Sequence, residues 1–509
     1  MAVAEYDYIV VGAGTAGCVL AARLAQHPEA RVLLLEAGRA QRTRAMAVPN
    51  AWPENLGSPA DWGDVTTSQA DAGPAVYPRG RALGGSGAIN AMAHVRGHRA
   101  VYDGWAAAGA AGWGFADLLP YFRRSERADG RDPALRGTDG PVRVAPAARR
   151  HPVAEAFTAA LGELGYAGTD DLSGRRQEGV AWIDLAIAGG QRVSSADAYL
   201  RPAIGRPNLV VQAECLVRRL MVRHGRCTGV SYVHDGTPEE ARAAGEVILS
   251  AGAIGSPQIL LLSGIGPAGP LRALGIEPVA GIGGVGANLQ DHPVVMTSYA
   301  SRAPLPVSAY NHGEACAALR SGLAGDYPDL HLFPILLPLA PAGHPPPPAG
   351  YTLVASAVAP GSRGSVRLAS PDPEAAPLID PAFLREARDL DRLEAGLAMI
   401  RAAAGGAAFS AVRQGEVWPG PAVRTRDGLR AYIRRAVGSY YHPAGTCRMG
   451  TDAAAVVDLD LRVRGVTGLR VADASVLPVI PNAHPNATVL AVAERAAELI
   501  GGPAGSAHG

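Results

Sequence analysis

The sequence is short of cysteine, of charge and of aromatic residues. Its five cysteines, Cys18, Cys215, Cys227, Cys316 and Cys447, are scattered over 509 residues without a CxxC pair. That spacing argues against a disulfide framework or a zinc site and fits a reducing compartment. Charged residues make up 18%, the formal net charge is +1, and no long basic run occurs, so nothing marks a nucleic-acid partner. No apolar run reaches the ~18 residues of a membrane span. The opening MAVAEYDYIVV has neither a basic leader nor a cleavage pattern. The expectation is a soluble, cytoplasmic protein without a metal site; oligomeric state is not readable. Aromatics at 5% leave little for a cation cage. Ala, Gly, Pro and arginine are plentiful, a usage that reflects a GC-rich genome rather than function. With 48% hydrophobic residues a large core can form, and the length predicts two or more structural units.

The first motif lies in YDYIVVGAGTAGCVLAARLAQHPEARVLLLEAG. Tyr8 to Val11 reads as a short apolar strand, Thr15 to Gln26 as a helix, and RVLLLE as a second buried strand ending in Glu36. Gly12, Gly14 and Gly17 form GxGxxG between strand and helix. Gly12 permits the tight turn, Gly14 lets backbone approach a pyrophosphate, and Gly17 lets the helix pack on the strand. Thr15 and Ala16 open the helix, whose free N–H groups face the phosphates. Glu36 stands at the distance expected of an acid that binds ribose hydroxyls, which favours NAD or FAD over NADP.

Further on, YPRGRALGGSGAINAMAHVRG crowds Gly80, Gly84, Gly85 and Gly87 into a stretch too glycine-rich for a stable helix. With Arg79 and Arg81 beside them, the reading is backbone wrapped closely around an anion or a flat ring. Glu246 to Pro267 reads as strand, glycine turn and helix. Asp473 follows a strand near the end, suited to hydrogen-bonding a cofactor hydroxyl. The stretch PLAPAGHPPPPAG reads as a mobile surface loop.

Four segments in order, GRALGGSGAINAM, GAIGSPQILLLSGIG, YHPAGTCRMG and DASVLP…NATVLAVAERAAELI, resemble the signatures of the glucose–methanol–choline (GMC) family of flavoprotein oxidoreductases. The resemblance covers essentially the whole chain. It implies an α/β fold: a Rossmann-like FAD-binding domain with a split substrate domain built on an antiparallel sheet. The expected boundaries are 1–150, 190–295 and 455–509 for the FAD-binding domain, and 151–189 and 296–454 for the substrate domain. Besides the residues above, the resemblance implies cofactor contacts from Gly85, Ser86, Asn90, Ala91, Met92, Ala93, Val217, Tyr441, Ala474 and Asn486. Some members attach FAD covalently through a histidine just before the Asn of the glycine motif. Ile89 stands there, so non-covalent FAD is expected.

Oxidising an alcohol removes a hydroxyl proton and a carbon-bound hydride. Flavin takes the hydride, and the proton needs a base with a pKa near working pH, for which imidazole is suited. By resemblance His442, in YHPAGTCRMG, is that base, and His484, in NAHPNAT, the second group on the same oxygen. His292 and His94 read as structural, His331 as a strand residue lining core or pocket, and Cys447 as an inert buried thiol. The leading function is an FAD-dependent alcohol oxidase acting on a primary alcohol, with dioxygen as acceptor and hydrogen peroxide as product. The alternatives are an alcohol or choline dehydrogenase using a quinone or other acceptor, and a non-redox FAD protein such as a hydroxynitrile lyase. The stretch YNHGEACAALRSG is similar to one in choline-oxidising members, where a glutamate helps hold the quaternary ammonium. Glu314 and Tyr441 are therefore substrate-binding candidates, with Tyr310 as a further aromatic face. A small or medium primary alcohol is the first expectation and a choline-like one the second.

Overall fold

Strands Glu5–Val11, Val32–Leu35 and Leu209–Gln212 carry short apolar runs at 9–11, 32–35 and 209–211, and they pair in parallel. In the computed structural model, which describes residues 4–502, they form one half of a seven-stranded sheet. The first three and last seven residues, which the sequence reading gave to the FAD-binding unit, lie outside the described residues. The sheet runs Leu209–Gln212, Val32–Leu35, Glu5–Val11, Thr237–Leu249, Arg226–His234, Cys215–Arg223, and Leu469–Val471 joins Thr237–Leu249 in parallel. The last two strands of the path are antiparallel.

Register determines what the sheet presents. Val11 pairs with both Leu35 and Leu249, and Leu249 pairs with Val471. Four strands thus end level, and the residues that follow, Gly12, Glu36, Ser250 and Ala472, stand in a row at the carboxyl edge, where open α/β sheets bind ligands. The dinucleotide helix is Thr15–Leu24, slightly shorter than expected. The last helix, Pro485–Gly501, packs against it; Arg23 makes two bonds to the buried Glu494 carboxylate, at 3.0 and 2.7 Å, and Tyr199 adds a third. The glycine-rich stretch does hold one helical turn, Ser86–Ile89.

The second sheet is antiparallel, in the order Arg413–Trp418, Pro293–Ser301, Gly350–Ala357, Leu330–Ile335, Ala315–Leu319, Gly179–Trp182. Its two faces follow the period-2 rule. Val295, Leu332, Leu353 and Ala317 pack under the helices Pro152–Glu163, Ala387–Gly405 and Arg426–Ala436. Val294, Met296, Phe333, Val354 and Cys316 point the other way. Met296 pairs with Val354, and Val354 with Phe333, so one row of apolar side chains crosses this face.

Candidate active site

A cavity of about 780 Å³ runs between the carboxyl edge of the first sheet and the second face of the antiparallel one. That volume is within the range of cofactor and ligand sites. One end is lined by Gly12, Gly14, Thr15, Ala16 and Glu36, the other by Tyr440, His442 and His484. Gly85, Ser86, the run Asn90 to Ala93, Val217, Tyr441, Asp473, Ala474 and Asn486 also line it. Gly17 does not; a Cβ there would run into the Gly12 carbonyl, so its part is helix packing.

The dinucleotide end is a bare backbone cradle. A Cβ added to Gly14 would meet only the Ser250 carbonyl, at 3.8 Å, and the helix that Gly14 precedes has no side-chain cap. Its first amides are free for an anion. Glu36 accepts from Ala13 N and Gly38 N, each at 2.8 Å, and burial pushes its carboxyl up to about 7. Thr15 donates to Asn486 at 2.8 Å, tying the start of the chain to its last helix. Asp473 accepts from Gly252 N, Ser256 Oγ and Ser475 N, so it also holds the start of the Gly252–Leu262 helix. Arg79 is paired with Asp64, and Arg79 and Arg81 both lie over Trp62. Asn90 accepts from Met92 N at 2.9 Å and Arg192 at 2.8 Å. Ile89 lines the cavity beside it and offers no nucleophile.

At the other end His442 follows Tyr441, whose φ of 65° turns the chain sharply. The buried Asp291 holds that turn. One of its oxygens accepts from His442 N at 2.9 Å and His292 N at 2.7 Å, and the other from Tyr77 at 2.8 Å and from Ser439. Despite four donors, burial raises the Asp291 carboxyl to about 6. His484 is the N-cap residue of the last helix, but its side chain makes no cap bond; its Nε2 meets Tyr440 OH at 2.9 Å. The His442 and His484 ring centroids are 5.3 Å apart. Burial, followed by neighbouring imidazoles, holds His442 well below the ordinary histidine value, and burial lowers His484 to about 4.

Two further side chains stand at this end, beside His442. His292, read as structural, meets His442 Nδ1 to Nδ1 at 2.9 Å. Its own Nε2 is buried with no hydrogen-bond partner among the described residues. Tyr440 lies between Phe333, stacked at 4.7 Å, and His442, at 4.3 Å. The only signal for His292 was its place in NLQDH; its pairing with residue 442 is a product of the fold.

Three expectations need correction. Glu314 does not line the cavity: its carboxylate is taken by Ser308 Oγ at 2.5 Å and His151 N at 3.3 Å. Tyr310 is likewise absent from the wall, its hydroxyl accepting from Ala148 N and Arg149 N. The proline-rich stretch is not wholly a surface loop, because Leu339 lines the cavity and is bonded to Thr352 and Ser298. His94 pairs with the buried Glu126, His331 packs against His484, and all five cysteines are free and buried.

Two GMC oxidoreductase family models match the chain, over residues 6–294 and 360–493. The mitochondrial choline dehydrogenase of Homo sapiens is 38% identical, covering 98% of this chain and 90% of its own. The oxygen-dependent choline dehydrogenase of Rhizobium etli is 36% identical, covering 97% of this chain and 95% of its own. Among solved structures, pyridoxine 4-oxidase from Mesorbium loti superposes with a TM-score of 0.93 at 35% identity, covering 97% of this chain and 98% of that one. A formate oxidase of Aspergillus oryzae, studied for FAD modification, gives 0.91 at 27% identity, with 98% of both chains covered.

Proposed function

The chain belongs to the GMC oxidoreductase family, and from that premise we propose that it oxidises a primary alcohol to the aldehyde with FAD and passes the electrons to dioxygen, yielding hydrogen peroxide. The observation that carries this reading is the single cavity that joins the dinucleotide cradle to the His442–His484 pair. The residues fit FAD. Glu36 would take ribose hydroxyls, the amides at Gly14 to Ala16 the pyrophosphate, and Asn90 to Ala93 the ring region. Residues 1–150, 190–295 and 455–509 would form the FAD-binding unit and the remainder the substrate unit. With Ile89 at the cavity wall, FAD would be held non-covalently. Bound there, it supplies the acceptor for the substrate hydride.

The chain's own part is to manage the hydroxyl proton. Two neutral imidazoles meeting Nδ1 to Nδ1 need one donor and one acceptor. With the His292 proton placed on Nε2, the nitrogen turned away from His442, His292 Nδ1 is the acceptor. His442 must then carry its proton on Nδ1 and keep a lone pair on Nε2, which has no protein partner among the described residues. Nε2 takes the hydroxyl proton, and the resulting imidazolium still donates through Nδ1 to His292. His484, steadied by Tyr440, orients the same oxygen. Pyridoxine 4-oxidase and formate oxidase, by name, support the oxidase reading. A dehydrogenase using another acceptor is the second reading, supported by the name of the human relative. Mixing the FAD-loaded protein with primary alcohols without oxygen, then admitting air, tests both: bleaching followed by stoichiometric peroxide is expected. Bleaching that persists in air but yields to a quinone selects the dehydrogenase.

A further inference from the structure

The wall of the antiparallel sheet says what kind of alcohol the cavity takes. Val294, Met296, Cys316, Phe333, Ile335 and Val354 face the cavity, and Leu337 and Leu339 extend the same surface. Four carboxylates line the cavity among the described residues, and each already has its partners. Glu36 is bonded to Ala13 and Gly38, Asp64 to Arg79, Glu374 to Arg218, and Asp473 to Gly252 and Ser256. None of the four is on the sheet wall. Glu314, the residue before the strand Ala315–Leu319, spends its oxygens on Ser308 and His151. Aromatic faces do not replace the missing charge. Tyr440 is covered by Phe333 on one side and His442 on the other, Trp62 lies under two arginines, and the remaining lining rings, Trp52 and Tyr441, are not on the sheet wall.

Resting on the alcohol-oxidising reading, we propose that the substrate is an uncharged primary alcohol with a hydrocarbon or aryl body lying against this wall, and not a quaternary ammonium alcohol. A cation seated against this wall would lose its hydration with no carboxylate there and the Phe333 ring as the wall's one aromatic face. An apolar body of the same shape is bound by the hydrophobic effect alone. The names of the choline dehydrogenase relatives point the other way, so the two expectations separate cleanly.

Choline and its uncharged isostere 3,3-dimethylbutan-1-ol are the probes. Each is titrated into the FAD-loaded full chain without oxygen, with the flavin absorbance perturbation reporting binding and bleaching reporting oxidation. The neutral alcohol should bind at least ~10-fold more tightly than choline. Equal or tighter binding of choline overturns the proposal, whether or not the flavin bleaches. Tighter binding of the neutral alcohol without bleaching by any alcohol upholds the pocket's character and defeats the oxidation reading instead. Met296 is half-buried on the wall and close to glutamate in length. Met296→Glu should therefore shift the ratio toward choline by ~10-fold. An unchanged ratio in a folded, FAD-loaded variant also overturns the proposal, because the substrate body then does not lie against this wall.

Discussion

His442 has one nitrogen committed to His292 and one free for substrate, and that division carries two predictions. His442→Ala should retain FAD and slow flavin reduction by at least ~10²-fold, the usual loss for a general base; stopped-flow reduction without oxygen measures it, and a near-normal rate removes the assignment. Because burial and neighbouring imidazoles hold His442 well below 6.5, its charged form is disfavoured and Nε2 stays unprotonated as the medium is acidified. The acid limb of kcat/KM should therefore fall below the ordinary histidine value, and a limb at or above that value contradicts a buried His442. The contact between His292 and His442 carries a third. His292→Leu removes the acceptor facing His442 and should cut the reduction rate ~10-fold or more with substrate binding little changed. His292→Asn, whose Oδ1 can stand in for Nδ1 as acceptor, should recover most of the rate. If both variants fall together, His292 serves packing rather than proton placement.

At the scale of elements, the level ends of four parallel strands put Glu36 beside the glycine turn. Glu36 serves two masters: it holds the backbone amides of Ala13 and Gly38, and it faces the cavity. Glu36→Gln exchanges one acceptor for a donor facing an amide donor. Since a hydrogen bond to a charged group contributes about 1.5–3 kcal/mol, FAD affinity should fall roughly 10–150-fold, read by equilibrium dialysis of the flavin. The reduction rate of the fully loaded variant should be nearly unchanged, because the acid stands at the far end of the cavity from His442. Burial has raised its carboxyl to about 7, so the ionised form that accepts ribose hydroxyls is lost as pH falls through that value. Retention should weaken on the acid side of neutrality, and the Gln variant should lose this dependence.

For the whole molecule, the cavity lies where the two sheets face each other, and the first and last helices of the chain close the cofactor end through Arg23–Glu494 and Thr15–Asn486. FAD held there without a covalent bond should leave when the fold is destroyed. Heating or acid precipitation should release intact FAD into the supernatant, and yellow colour in the washed pellet would show a link that Ile89 cannot make.

The sequence by itself determined the parts whose geometry is local. A strand, a glycine turn, a helix and a second strand ending in acid must fold into one cradle, because glycine spacing and hydrophobic period act over a few residues. The ordered signatures extended that to the family, and the cofactor residues it implied line one cavity, Gly17 apart, which acts through packing. Only the tertiary structure decided what depends on pairing across the chain. His292 and His442, 150 positions apart in the chain, meet at 2.9 Å through turns held by Asp291 and Ser439, and no local pattern encodes that distance. Glu314 had the right charge in a suggestive stretch, yet the fold gave its carboxylate to Ser308 and a backbone amide and left an apolar wall. Side-chain direction at a strand end follows from which loop covers it, a long-range fact; residue identity alone does not contain it.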